Sequence, residues 1–263
     1  MYLGRAVAAA ACLSVAGCAH AGIAPATRPH AASDALVVLT GFGYGGDGER
    51  AFKALERDMA AEGIDLYVPA YVSRDGLEPS RDRLRRFIRD ARLDRYDRVH
   101  VFAFIAGGWA FNPLAETGAL PNLATVIYDR SPYQERAPRV AVDKLPFPAW
   151  IKYGDILAEL ARTPYAPLTI EGPRVGIIVE TKPTSFVRRF ARTAQQYGPY
   201  RFDCDAFAQR HDDCAYLAMT HDDVYERFAE VWPEVRAFIR GGRFSPGAIR
   251  TPPIPRQAAA AHR

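Results

Sequence analysis

The chain has 263 residues, 49% of them apolar, with 34 Lys and Arg against 30 Asp and Glu and a formal net charge of +4. That much apolar material supports a sizeable core and excludes a disordered or low-complexity chain. The charge is too small to argue for nucleic acid, and beyond the N-terminus no stretch has the roughly 18 consecutive apolar residues of a membrane helix.

Arg5 heads a run of small apolar residues, Ala6 to Ala16. It is too short to span a bilayer and predicts a signal peptide over residues 1–17. The run closes on Val15-Ala16-Gly17-Cys18, which resembles the bacterial lipobox. The resemblance implies acylation of Cys18. It also implies lipid anchoring to a bacterial membrane in the cell envelope, on the periplasmic or extracellular side. More than one acyl chain makes such anchoring stable. Residues 18–33, rich in Ala and Pro, read as a flexible tether.

From there the pattern alternates. Apolar ALVVLTGFG (35–43) reads as a buried parallel strand, followed by a helix over about 49–62 that Gly63 ends. IDLYVPAYV (64–72) is a second strand. A basic amphipathic helix follows over about 79–93, its Arg residues interleaved with Asp on an outer face. Strands are expected at 99–105 and 123–128, with a helix starting near Gly108 between them. Residues 131–172 break the rhythm with six prolines and several aromatics. RVGIIVE (174–180) then reads as a strand. A helix over 185–197 has Ser185 as its cap. Tyr200 to Asp203 reads as a short strand, and a last helix over 222–240 is capped by Thr220 and open to a kink at Pro233. The Pro- and Ala-rich tail, 245–263, is expected to be disordered. Such alternation predicts an α/β domain with a mostly parallel sheet covered on both faces. Cys204 and Cys214, close in sequence and in an oxidising compartment, predict a disulfide.

VHVFAFIAGG (99–108) carries the most information. It resembles the strand, sharp turn and helix of the α/β-hydrolase family, where G-x-S-x-G presents a nucleophilic serine. Ala103 takes the first glycine place, Gly107 the last and Ile105 the serine place. The resemblance covers roughly residues 35–240. It implies a doubly wound sheet in a domain over 34–244, with residues 131–172 as a cap-like insertion after the family's sixth strand. Its oxyanion loop corresponds to LTGFG (39–43), where Thr40 replaces the usual His. Its acid place corresponds to VETKPTS (179–185), where Lys182 is nearest to the Asp position and Glu180 is close by. Asp129 is a second possible acid. His221, in AMTHDDVYERF, stands where the family's histidine stands.

A β-branched residue resists the positive φ that the serine of this turn adopts. The turn is therefore expected to relax, with Ile105 ending the strand as a core residue and Ala106-Gly107-Gly108 making the bend. An isoleucine cannot attack a carbonyl. The leading reading is a membrane-anchored, non-catalytic lipoprotein with an α/β-hydrolase fold. It binds a small molecule, lipid or protein partner in the remnant cleft, with Gly41, Phe42, Ile105 and Ala106 as binding residues. The alternative is an ester or amide hydrolase with an atypical arrangement, His221 and Asp129 activating water. Sequence spacing suggests no metal site, no cofactor and no nucleic-acid partner.

Overall fold

The computed structural model describes residues 22–24, 32–42 and 44–252. The leader, Cys18, Gly43 and residues 253–263 lie outside the described residues. In chain order the elements are β1 (Asp34–Leu39), α1 (Gly46–Ala61), β2 (Ile64–Tyr67), α2 (Leu77–Asp90), β3 (Arg98–Ala103), α3 (Ile105–Ala115), β4 (Leu123–Arg130), α4 (Ala137–Lys144), α5 (Pro146–Tyr153), α6 (Asp155–Arg162), β5 (Arg174–Glu180), α7 (Ser185–Arg189), α8 (Ala191–Gln195), β6 (Asp213–Leu217), α9 (His221–Glu226) and α10 (Phe228–Gly241).

Six strands pair in parallel in the order β2-β1-β3-β4-β5-β6. Successive strand residues point to opposite faces. Leu36, Val38, Phe102 and Ile127 pack with Phe52, Met59 and Phe228 on one side. Val37, Val101, Val126 and Tyr128 pack with Leu84, Phe111 and Leu114 on the other. Burial on both faces explains why these strands read as continuous apolar runs. The chain leaves β1 for β2 on one side and reaches β3 on the other. Such a reversal opens a crevice at the carboxyl ends of the two strands, where ligands of doubly wound sheets bind.

Several expected boundaries move. The second strand stops at Tyr67, because Pro69 cannot donate to a ladder. The last strand is Asp213–Leu217, not Tyr200–Asp203. Tyr200 and Phe202 turn instead to Tyr133, with ring centroids 4.4 and 5.2 Å away. The expected 185–197 helix is two short ones, and Thr184, not Ser185, caps the first by accepting from the Val187 amide. The final helix breaks at Arg227 rather than at Pro233. Cys204 and Cys214 form the expected disulfide, their Cα atoms 6.4 Å apart. Residues 131–172 hold a short 3-10 turn (Gln134–Arg136) and three α-helices, α4 to α6. Parts of both expected flexible ends lie against the fold: Ile23 bridges to Val68, and Ile249 to Tyr216.

The β3–α3 junction depends on one close approach. A Cβ on Gly107 would stand 2.8 Å from the Leu39 carbonyl oxygen and 2.9 Å from the Leu39 Cβ. Gly107→Ala gains about 1 kcal/mol of helix propensity. The overpacking costs about 1–3 kcal/mol, and backbone oxygen cannot yield cheaply. A lower urea midpoint is expected; an unchanged or raised midpoint contradicts this packing.

Candidate functional site

Three buried side chains, from β4, from β5 and from the helix that follows β6, meet at the carboxyl edge of the sheet. Asp129 is the penultimate residue of β4, and Glu180 ends β5. His221 opens α9, positioned by a reciprocal cap: Thr220 Oγ1 accepts from the Asp223 amide, and Asp223 accepts from the Thr220 amide. His221 Nδ1 lies 2.7 Å from Glu180 Oε1 and 3.3 Å from Asp129 Oδ2. Asp129 and Glu180 are fully buried, and His221 is 5% exposed.

Two carboxylates against one ring nitrogen decide its state. Burial pulls the imidazole pKa down, but the Glu180 charge, with help from Asp129, raises it to about 10. The ring is therefore an imidazolium at neutral pH. Burial, reinforced by the Asp129 charge, lifts the Glu180 carboxyl well above the usual range. Neither Asp129 oxygen nor Glu180 Oε2 has a hydrogen-bond partner among the described residues.

These three groups lie close enough together to hold a metal ion. Their spacing in sequence hides this. Ligands about 2.0–2.1 Å from a tetrahedral zinc stand about 3.3 Å apart. The 2.7 Å contact from Nδ1 to Glu180 is that of a hydrogen-bonded pair.

The other ring nitrogen faces Tyr225. Tyr225 Oη lies 3.4 Å from His221 Nε2 and accepts a 2.8 Å hydrogen bond from the Gly41 amide. Its ring stacks on Phe104, and burial holds its hydroxyl well above the ordinary phenol range. The Gly41 N–H of the oxyanion-like loop is thus already satisfied.

Ile105 does not end the strand. It is the first residue of α3, half-buried, and Arg92 and Ala208 are the only described non-glycine residues with positive φ. The turn is relaxed, but the bend falls at Phe104, and Ala106-Gly107-Gly108 are helical. A helix beginning at residue 105 lets isoleucine keep ordinary backbone angles.

A cavity of about 450 Å³ opens beside this cluster, within the roughly 300–1,000 Å³ range of ligand clefts. Gly41, Phe42, Ile105, Ala106 and His221 all line it, and α4 to α6 supply an apolar wall including Ala141, Ala149, Tyr153 and Leu157. Asp129 is not a lining residue. Lys182 is exposed on the surface. Ser131 accepts from the Gln134 amide and Ser73 donates to Asp75, so both are turn residues.

The order of the six parallel strands and the helices that cover them identify the architecture. The chain has the α/β-hydrolase fold. A solved structure agrees. A mature lipase from Bacillus licheniformis superposes with a TM-score of 0.51 at 12% identity, over 85% of this chain and 98% of that one. Est1E from Butyrivibrio proteoclasticus superposes with a TM-score of 0.48 at 13% identity, over 84% and 92%. No family model matches the sequence, and no curated protein matches it.

Within this α/β-hydrolase fold, sequence reasoning underrated Glu180 and passed over Tyr225. A carboxylate ending an otherwise apolar strand was the available signal for the first. For the second it was the four-residue spacing from His221, which stacks two side chains on one helix face.

Proposed function

We propose that this chain is a binding protein built on the α/β-hydrolase fold, which holds an apolar small molecule or lipid in the cavity without acyl-transfer chemistry. One observation carries the reading: Ile105 faces the cavity where the family has its nucleophile. The hydroxyl that His221 does face, Tyr225, is buried and hard to ionise. An imidazolium clamped by two carboxyls is also a poor base at neutral pH. Acylated Cys18 would hold the protein at the membrane, in the bacterial cell envelope.

The hydrogen-bonded His221–Glu180 pair favours a second reading, an ester or amide hydrolase of atypical design. A panel of short-chain p-nitrophenyl esters separates the two. The binding reading expects no turnover above background in the wild type or in His221→Gln. Wild-type turnover that disappears in His221→Gln establishes the hydrolase instead.

A further inference from the structure

Among the described residues four large apolar side chains are exposed, and three of them fall on one stretch: Leu145 at 38%, Phe147 at 67% and Trp150 at 54%. They lie on or beside α5, which buries only Ala149. Phe147 and Trp150 stack on each other with ring centroids 6.5 Å apart. Such a group is not scattered surface hydrophobicity.

The charges around it have a pattern. Lys144 and Lys152, both exposed, bracket the apolar run, and no acid lies between Asp143 and Asp155. Both acids are engaged: Asp143 accepts from Tyr197, and Asp155 accepts from the Trp150 indole N–H at 3.0 Å. Arg74 adds a third cation, donating to the Trp150 and Ile151 carbonyls near the end of α5. The same helix borders the cavity, since Leu145, Pro148 and Lys152 line its rim.

We infer that α5 is a docking surface for an anionic phospholipid bilayer, with Phe147 and Trp150 entering the acyl boundary and Lys144 and Lys152 meeting the headgroups. One exposed face of a two-turn helix about 12 Å long offers far less area than the roughly 800 Å² per partner of a stable protein interface. It does suit shallow insertion of about 5–10 Å. Aromatic rings at the interface and lysine stems reaching up to phosphate are the side chains that such a boundary favours. The cavity rim then meets the apolar layer of the membrane, so an apolar ligand need not cross water to enter. This surface is independent of whether the cavity binds or catalyses.

The test uses the chain from residue 18 on, carrying Cys18→Ser, so that neither the apolar leader nor an acyl chain contributes. It is mixed with vesicles of phosphatidylcholine, with and without phosphatidylglycerol. The chain is expected to float with the vesicles, more strongly with phosphatidylglycerol. A Phe147→Ser/Trp150→Ser variant in the same background is expected to partition about 10-fold or more weakly. Lys144→Gln/Lys152→Gln is expected to lose only the phosphatidylglycerol enhancement. Trp150→Phe should remove a blue shift in tryptophan emission on vesicle addition while leaving flotation largely intact. Circular dichroism confirms that each variant is folded. A serine variant that floats as well as its parent overturns the proposal, as does a parent that does not bind or that binds without any emission shift from Trp150.

Discussion

Replacing His221 with alanine is expected to destabilise the protein by about 3–5 kcal/mol in urea unfolding at pH 7, the cost of stranding buried charge after removal of its partner. Asp129 and Glu180 are both fully buried, and the imidazolium is the cation that holds them. Without it, two buried carboxyls face each other with no countercharge between them. Asp129→Asn is expected to be much milder, about 1.5 kcal/mol or less, because Glu180 still accepts from Nδ1 and the volume is unchanged. An alanine variant no worse than the asparagine variant would remove the cluster from this account. The pH dependence has a definite sign. A histidine raised from 6.5 to about 10 stabilises fully below about pH 6.5, and that contribution is lost as pH rises toward 10. Ring-nitrogen NMR should accordingly show His221 still protonated at pH 8, and a midpoint between pH 6 and 7 contradicts the geometry.

Arg130→Ala is expected to cost about 3–5 kcal/mol. The side chain is 3% exposed and lies among aromatic rings, its guanidinium carbon 4.2 Å from the Tyr165 centroid, 4.9 Å from Phe207 and 5.9 Å from Trp109. Burial opposes the charge, but the ion pair with Glu135 outweighs that and raises the pKa. Truncation opens a cavity under the rings and strands Glu135. That carboxylate is 22% exposed and keeps some water, which places the cost toward the lower end. Arg130→Met with Glu135→Gln keeps the volume and removes both charges, so it should recover most of the loss. Failure to recover would assign the stability to the cation and the rings rather than to volume. Trp109 and Glu135 line the cavity, so the alanine variant should also bind apolar dyes more weakly.

Reading the chain from its residues reached most of the sheet, because five of the six strands are apolar runs with both faces buried. β6 escaped. DCAYL is short and only half-buried, whereas YRFD carries the aromatic pattern of a strand and uses it to pack on Tyr133. At the site, Ile105, Gly41, Phe42, Ala106 and His221 were legible as motif positions. Asp129 was legible only as one of two possible acids. Glu180 was legible as the other, but that it rather than Asp129 makes the short contact to His221, and that Tyr225 faces the second ring nitrogen, depend on contacts between elements far apart in the chain.

The sequence by itself determined three things: the alternating α/β order, the isoleucine where a nucleophile is expected, and the histidine before the last helices. Each is a matter of local pattern or of one residue's chemistry. Tertiary structure decided the rest. Only the folding of β4, β5 and α9 to one edge brings residues 129, 180 and 221 together, and so makes His221 a cation. Only the packing of Phe104 against Tyr225 turns a phenol toward Gly41 and His221. Only the seating of α5 on the cavity rim leaves Phe147 and Trp150 in solvent. Periodicity records which face of an element is apolar; what that face meets depends on contacts between residues far apart in the chain.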